Sequence, residues 1–292
     1  MAFSTDQIPD LSSKTILITG ANSGLGFETA RALGAHGAKL VLAVRDTEKG
    51  KQAAERIDGD TEVAELDLSR LESIRSLAAA WGERPLDILI NNAGVMATPL
   101  SRTADGFELQ IGTNHLGHFA LTNLLLGQIR ERVVTVSSNA HRSGRIELRD
   151  LNFEHRGYNA WVAYGQSKLA NLLFTFELAR RLDAAGSPVL ATAAHPGYAA
   201  TKLTTHTGSP IQGLAMAIGD RVLAQPAAVG ALATLYAAVE PLDSNSYVGP
   251  SGAGEWRGGP KLVGRSRAAT DPEVAAGLWE LSEELTGVRW PL

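Results

Sequence analysis

The chain has 292 residues, 44% of them hydrophobic, and its 27 Lys and Arg against 31 Asp and Glu leave a formal net charge of -4. That length and apolar content allow a full core in one large domain, and the near balance of charge provides no global field to attract nucleic acid or an anionic membrane. Zero cysteines exclude disulfides and thiolate chemistry, and seven scattered histidines make a poor case for a metal site.

Residues 1–13 contain Asp6, Pro9 and Asp10 with no basic start or apolar run of signal length, and no stretch approaches the ~20 apolar residues that cross a bilayer. A soluble, cytoplasmic chain without membrane insertion is expected. Lys14 to Thr19 is a short apolar run ending at glycine, followed by a helix over Phe27 to Gly34. Lys39 to Val44 predicts a second strand, Thr47 to Ile57 a charged helix, Thr61 to Leu66 a third strand, Leu71 to Trp81 a helix and Leu86 to Ile90 a fourth strand. Ala104 to Ile129 reads as one long helix in spite of Gly106, Gly112, Gly117 and Gly127, and Val133 to Ser137 is the fifth strand.

Trp161 to Leu182 is the clearest helix, and Val189 to Ala193 is a sixth strand that His195-Pro196-Gly197 terminates. Leu203 to Ile218 suits a helix over a substrate site or an ordinary surface helix. Ala227 to Val239 is a further helix, Tyr247-Val248 a last short strand and Asp271 to Thr286 the terminal helix. Short apolar runs alternating with longer helical patterns predict an α/β fold, a doubly wound and mostly parallel sheet with helices on both faces. No linker or internal repeat divides residues 1–292, so a single domain is expected, with a nucleotide-binding half over about 14–140 and a catalytic, substrate-binding half over about 141–292.

Gly20, Gly24 and Gly26 follow the first strand and open the first helix, where free amides and the helix dipole favour phosphate and missing side chains permit close approach. Their GxxxGxG spacing differs from GxGxxG and lacks the Lys-Ser/Thr of a nucleoside-triphosphate loop. Asn22, Ser23 and Leu25 lie within the same turn, with Asn22 a second ribose-phosphate contact. Arg45 follows the second strand, where an acid would bind a free ribose 2′-hydroxyl and an arginine pairs with a 2′-phosphate. NADP(H) is therefore preferred, with NAD(H) still open because Asp46 is adjacent. Asp67 and Leu68 end the third strand near the adenine position, and Asn91, Ala93 and Gly94 end the fourth beside the nucleotide; Asp67 could instead cap the next helix and the asparagines satisfy turn amides, but their place after strand carboxyl ends favours ligand contact.

Tyr164 and Lys168 lie one helical turn apart, so the ammonium is expected to ease loss of the phenol proton. Tyr158 has Val162, not lysine, four positions later. Ser138 can meet negative charge that develops on a carbonyl oxygen during reduction. His115 and His118 share a helix face without a third ligand, so packing or polar contacts suit them better than a metal. His195 suits one wall of the nicotinamide pocket or a structural hydrogen bond. Trp161, Phe153 and Tyr198 suit an apolar substrate surface or the core.

Over residues 14–250 the chain resembles the short-chain dehydrogenase/reductase family. The motifs that carry the likeness are TGxxxGxG at 19–26, NNAG at 91–94, Asn114-His115, Ser138, YxxxK at 164–168 and Pro196-Gly197 with Thr201. The resemblance implies a Rossmann fold and an alcohol–carbonyl oxidoreductase. In it Ser138 orients the substrate oxygen, Tyr164 exchanges the proton, Lys168 binds the nicotinamide ribose and lowers the tyrosine pKa, and Asn114 supports a relay through water. It also implies that Pro196, Gly197 and Thr201 contact the cofactor, with Lys202 a weaker candidate, and that the chain forms a homodimer or homotetramer, although long loops and the terminal helix equally suit a monomer.

Ser138 and Tyr164 are 26 residues apart, longer than the family's usual interval, which makes Arg142 to Tyr158 an insertion at the site's rim. With Arg45-Asp46, Asn114 to Phe119 and His195-Pro196-Gly197, this looks like the retinol dehydrogenase and WW-domain oxidoreductase subgroup, and the substrate is expected to be a lipophilic alcohol or carbonyl. Two other readings use the same residues: a nucleotide-binding regulatory or scaffold protein with little turnover, and an NAD-dependent epimerase or dehydratase.

Overall fold

Apolar runs too short for helices become strands here because both faces of the sheet are covered. The computed structural model describes residues 3–198 and 225–292. Its strands are β1 (Thr15–Thr19), β2 (Lys39–Val44), β3 (Thr61–Glu65), β4 (Leu86–Asn91), β5 (Ile129–Val136), β6 (Leu190–Ala194), β7 (Tyr247–Pro250) and β8 (Pro260–Leu262). They make one sheet in the order β3-β2-β1-β4-β5-β6-β7-β8, with every neighbouring pair parallel except β7 and β8. Chain order reverses between β1 and β4, and that topological switch point opens a crevice at the strands' carboxyl ends, as in other doubly wound sheets of this Rossmann type.

The described helices are α1 (Gly24–Ala35), α2 (Thr47–Ala54), α3 (Leu71–Trp81), α4 (Leu109–Ile111), α5 (Gly117–Leu125), α6 (Ala160–Ala184), α7 (Ala227–Val239) and α8 (Pro272–Thr286). One face of the sheet packs against α1 and α7, with Ile16, Ile18, Leu40 and Leu42 fully buried; the other packs against α3, α5, α6 and α8 through Leu17, Val41, Leu89 and Val133. Each of these side chains contributes ~2 kcal/mol by leaving water.

The predicted long helix over Ala104 to Ile129 is instead several pieces. Gly106 has φ 88°, a left-handed turn that no helix interior tolerates, and buried Glu108 caps α4 by accepting from Gln110 N at 3.0 Å and Ile111 N at 2.8 Å. A π turn over Gly112–Leu116 joins α4 to α5, and Leu126–Gln128 closes with a 3-10 turn. Ile129 already begins β5, whose amino-terminal part was hidden by Arg130, Glu131 and Arg132. β8 was also missed, because three residues carry no periodic signal. It pairs antiparallel with β7 and so covers that edge. The expected helix over Leu203 to Ile218 lies outside the described residues.

The 142–158 insertion is built onto the domain. Gln166 Nε2 donates to Leu151 O at 2.9 Å, Asp150 accepts backbone amides of Glu154 and Arg156 at 2.6 and 3.1 Å, and Tyr158 donates to Thr98 O at 2.9 Å. Its first turn lies flat on α6 because Gly144 and Gly165 meet backbone to backbone, so that a Cβ on Gly144 would come within 2.8 Å of Gly165 C. Gly144→Ala should therefore destabilise the protein by about 1–3 kcal/mol, read as a lower urea midpoint at unchanged slope. A midpoint equal to the parent's would show that the contact is slack.

Candidate active site

The crevice at the switch point has a volume of about 570 Å3 and is lined by Gly20, Asn22, Arg45, Asp46, Lys49, Asp67, Leu68, Ala93, Gly94, Val95 and Thr113, among others. Gly20 sits at φ 67° against Ala93, whose Cβ would lie 2.9 Å from a Cβ on the glycine. Gly24 opens α1 at φ 58°, and a Cβ on Gly26 would fall 2.6 Å from Gly20 O. Ser23 makes no side-chain cap to α1, so the first-turn amides keep their capacity for an anion. Leu25 is buried behind them. This cradle fits the pyrophosphate of a dinucleotide.

At the ribose end Arg45 is exposed at the crevice, while Asp46 turns to cap α2, accepting from Lys49 N at 3.1 Å and from Lys49 Nζ at 2.6 Å. Those contacts hold the Asp46 carboxyl below its ordinary pKa. Asp67 does not cap α3, whose N-cap is Arg70; it accepts from Ser69 N at 2.9 Å and Ser69 Oγ at 2.6 Å in a local turn beside Leu68. Asn91 does not line the crevice. As the last residue of β4 its side chain points to the helix layer, where Nδ2 donates to Thr122 Oγ1 at 2.9 Å. Sequence reasoning missed Lys49 and Thr113; the Thr113 hydroxyl lacks a protein partner at the crevice wall.

The floor is a buried polar chain whose Thr19 sequence reasoning missed. Thr19 Oγ1 accepts from the amides of Asn92 and Ala93, both at 2.9 Å. His118 Nδ1 lies 3.0 Å from Asn114 O, which can only accept, so Nδ1 carries the hydrogen and Nε2 accepts from Thr19 Oγ1 at 2.9 Å. Burial pushes the His118 pKa down to about 4, which keeps that neutral form. Asn114, in the π turn, accepts from Val95 N at 2.8 Å and donates to Val95 O and Ser167 Oγ at 2.9 Å. His115 points elsewhere, to Ser282 Oγ of α8 at 2.9 Å.

Ser138 lies two residues beyond β5 and caps the following 3-10 turn, its Oγ accepting from Ala140 N at 3.2 Å. Its side chain is near enough to Tyr164, the first residue of YxxxK in α6, to favour ionisation of the phenol. Asn159 starts that helix by accepting from Trp161 N and Val162 N at 3.0 and 3.1 Å, and its position fixes which turn carries the phenol. Lys168 is buried, with Nζ donating to Val136 O at 3.1 Å and lying 5.8 Å from the Tyr164 ring centre. A Cβ on Gly94 would sit 3.1 Å from Asn114 Oδ1 and 3.6 Å from Lys168 Nζ, so crevice, asparagine and lysine converge.

The protein's own electrostatics run against the expected easing of the phenol. Burial pushes Tyr164 up to about 12, offset only in part by the nearby Ser138 side chain, and pushes Lys168 down to about 8. Desolvation outweighs attraction between a phenolate and an ammonium that is turned toward a backbone carbonyl. Tyr158 is spoken for, its hydroxyl lying 2.9 Å from Thr98 O and 2.9 Å from Gln110 Nε2.

Trp161 is 46% exposed and stands edge-on to Tyr164 with ring centres 6.2 Å apart, whereas Phe153 is buried against Tyr158 and Arg156. Tyr198 lies beside Trp256 at 6.0 Å. Gly197 turns at φ 68° after Pro196, and its amide donates to His195 Nδ1 at 3.3 Å. Thr201 and Lys202 lie outside the described residues.

A glycine-lined crevice at the switch point, beside a tyrosine, serine and buried lysine, defines an NAD(P)-dependent oxidoreductase. Sequence comparison is more specific: a family model for short chain dehydrogenase matches residues 14–212, and the chain belongs to that family. It is 43% identical over 300 residues to Retinol dehydrogenase 13 of Homo sapiens, covering 95% of this chain and 86% of the relative. It is 50% identical over 215 residues to Retinol dehydrogenase 11 of Homo sapiens, covering 70% and 66%. Among solved structures, an uncharacterized protein from Mycobacterium Paratuberculosis superposes at TM-score 0.87 with 52% identity over 100% of both chains. A Pseudomonas aeruginosa RhlG/NADP active-site complex superposes at TM-score 0.62 with 27% identity, covering 82% of this chain and 94% of that one. Alcohol–carbonyl oxidoreduction is the chemistry of this family, and among the described residues no helix is long and apolar enough to cross a membrane.

The buried amine makes a prediction that does not require substrate. Below pH 8 the folded chain holds a charged Lys168 out of water; the cost fades between about pH 8 and 10.5, where the folded amine is neutral and the unfolded one is still charged. Val136 O keeps a second donor, Asn171 Nδ2 at 3.0 Å, so nothing is left unpaired by Lys168→Met. That variant should be more stable than the parent by roughly 2–3 kcal/mol at pH 7, each pH unit of displacement being worth about 1.4 kcal/mol, with the gap closing above pH 10. Denaturant melts across pH 6–10.5 check it; a less stable variant at pH 7 would refute the cost.

Proposed function

We propose that the chain is an NADP-dependent oxidoreductase that interconverts an alcohol and an aldehyde or ketone of a lipophilic small molecule, with Tyr164 as general acid and base. The observation that carries this reading is the convergence of Tyr164, with Ser138 near its phenol, and Lys168 at the end of the dinucleotide crevice. The nicotinamide, when bound, supplies or takes the hydride. Ser138 hydrogen-bonds the substrate oxygen and Tyr164 gives it a proton in reduction. Lys168 holds the ribose, Asn114 fixes the Val95 segment beside it, and Gly20, Asn22, Ser23, Gly24, Gly26, Ala93, Gly94, Pro196 and Gly197 form the cofactor's bed.

Support for NADP comes from Arg45 and Lys49 lining one end of the crevice while Asp46 is engaged with α2. Support for a lipophilic substrate comes from Trp161, exposed beside the phenol, and from relatives named for dehydrogenating retinol, an apolar alcohol. With burial holding Tyr164 up to about 12, the neutral phenol that donates a proton in reduction dominates at physiological pH.

Turnover is measured by NADPH absorbance over a panel of aliphatic and polyene aldehydes. Tyr164→Phe should lower kcat by about 10²–10⁴-fold with NADPH affinity retained; a rate equal to the parent's would sink the assignment. Alcohol oxidation needs the phenolate, whose fraction grows with pH everywhere below about 12, so its kcat/KM should climb from pH 7 to 10 while reduction shows no such rise. Arg45→Asp should shift the NADP-to-NAD preference by about 10-fold or more toward NAD, the scale of one charged hydrogen bond. An unchanged ratio of kcat/KM values would remove Arg45 from the 2′-phosphate.

A further inference from the structure

The β7–β8 turn closes over the rim of the site by Ser251 N donating to Gly259 O and Gly252 N donating to Arg257 O, both at 2.8 Å. Within it Glu255 has φ 58°, the left-handed region that a glycine adopts freely and a glutamate does not. Gly252, Gly254 and Gly258 surround it, so the turn itself gains nothing from a side chain at 255. What the side chain adds is two bonds: Oε1 accepts from Arg142 Nη2 at 3.1 Å, and Oε2 lies 3.0 Å from His195 Nε2. Gly197 N donates to His195 Nδ1 at 3.3 Å, which leaves the ring hydrogen on Nε2 and makes Glu255 its acceptor.

The two bonds lead to the segments that follow the neighbouring strands β5 and β6. Arg142 belongs to the 3-10 turn that Ser138 caps, and Asn139 of the same turn donates to the carbonyls of Gly254 and Glu255 at 3.1 and 3.3 Å. His195 directly follows β6 and holds the amide of Gly197, in the loop assigned above to the cofactor. The imidazole is fully buried, and the bare Cα of Gly249 leaves room for it.

We propose that Glu255 is a positioning residue that couples the Ser138 turn to the His195–Gly197 loop and so sets the separation between the substrate-orienting hydroxyl and the cofactor. This rests on the functional reading above. The signal in the sequence was faint, a glutamate inside a glycine-rich turn far from every motif.

Glu255→Gly removes the carboxylate and relieves the backbone at once. With decanal and NADPH, its kcat should fall at least about 10-fold, since small misplacements of reacting groups are costly. Its KM for NADPH should stay within about threefold and its Tm should equal or exceed the parent's; Glu255→Gln, which keeps one acceptor oxygen, should recover part of the rate. In the protein without ligands, nitrogen NMR should find His195 as the Nε2–H tautomer in the parent, and amide exchange of Gly197 should quicken by at least about 10-fold in Glu255→Gly. A parent-like kcat with unchanged Gly197 exchange overturns the proposal, and so does a Tm loss that tracks the activity loss, which would make Glu255 a plain strut. If the parent itself turns nothing over, the functional reading fails, and Gly197 exchange alone decides the coupling.

Discussion

The carbonyl of Val136 carries much of this structure. At the end of β5 it accepts from both Lys168 Nζ and Asn171 Nδ2 of α6, at 3.1 and 3.0 Å, and the hydroxyl of Ser137 returns a bond to Lys168 O at 2.8 Å. Strand end and helix are thereby stapled residue to residue. Ser138 and Tyr164 sit one position beyond and one turn before those staples, so their meeting is a consequence of backbone contacts made by their neighbours. A side-chain pair alone would be free to drift; a pair carried on a central strand and a buried helix is not.

The same economy of buried polar groups runs beneath the crevice. Asn92, Ala93 and Val95 form an irregular segment whose backbone groups would otherwise be orphaned, and Thr19 and Asn114 satisfy them, with His118 joining the two. Such networks favour one arrangement because each broken bond strands a partner in a low-dielectric interior. Burial also explains the electrostatic character of the site. It raises the phenol and lowers the amine, so the resting pair is neutral tyrosine beside an amine that ionises near pH 8.

Much of the fold was legible because its information is local. Leu71–Trp81, Lys39–Val44 and Ala227–Val239 match their sequence readings at both ends, each being a run whose periodicity and flanking residues agree. The Ala104–Ile129 reading failed because its glycines answer to distant neighbours: a Cβ on Gly112 would meet the Thr103 side chain, and one on Gly117 would come within 3.1 Å of Leu68 Cβ. β8 was invisible because a three-residue strand exists only by pairing with β7. At the candidate site the motif residues were readable by their spacing, but Lys49, Thr113 and Glu255 were not, since each takes its meaning from a contact with a residue remote in the chain or from a place on the crevice wall.

The order of strands and helices, the glycine turn after β1 and the spacing of Tyr164 and Lys168 were determined by the sequence alone, because each depends on residues within a few positions of one another. Only the tertiary structure decided that Asn91 faces Thr122, that desolvation outweighs the lysine at Tyr164, and that Glu255 joins the Ser138 turn to the His195 loop. The physical reason is common to all three: hydrogen-bond choice and desolvation depend on what surrounds a group in space, and that is set when elements far apart in the chain pack together.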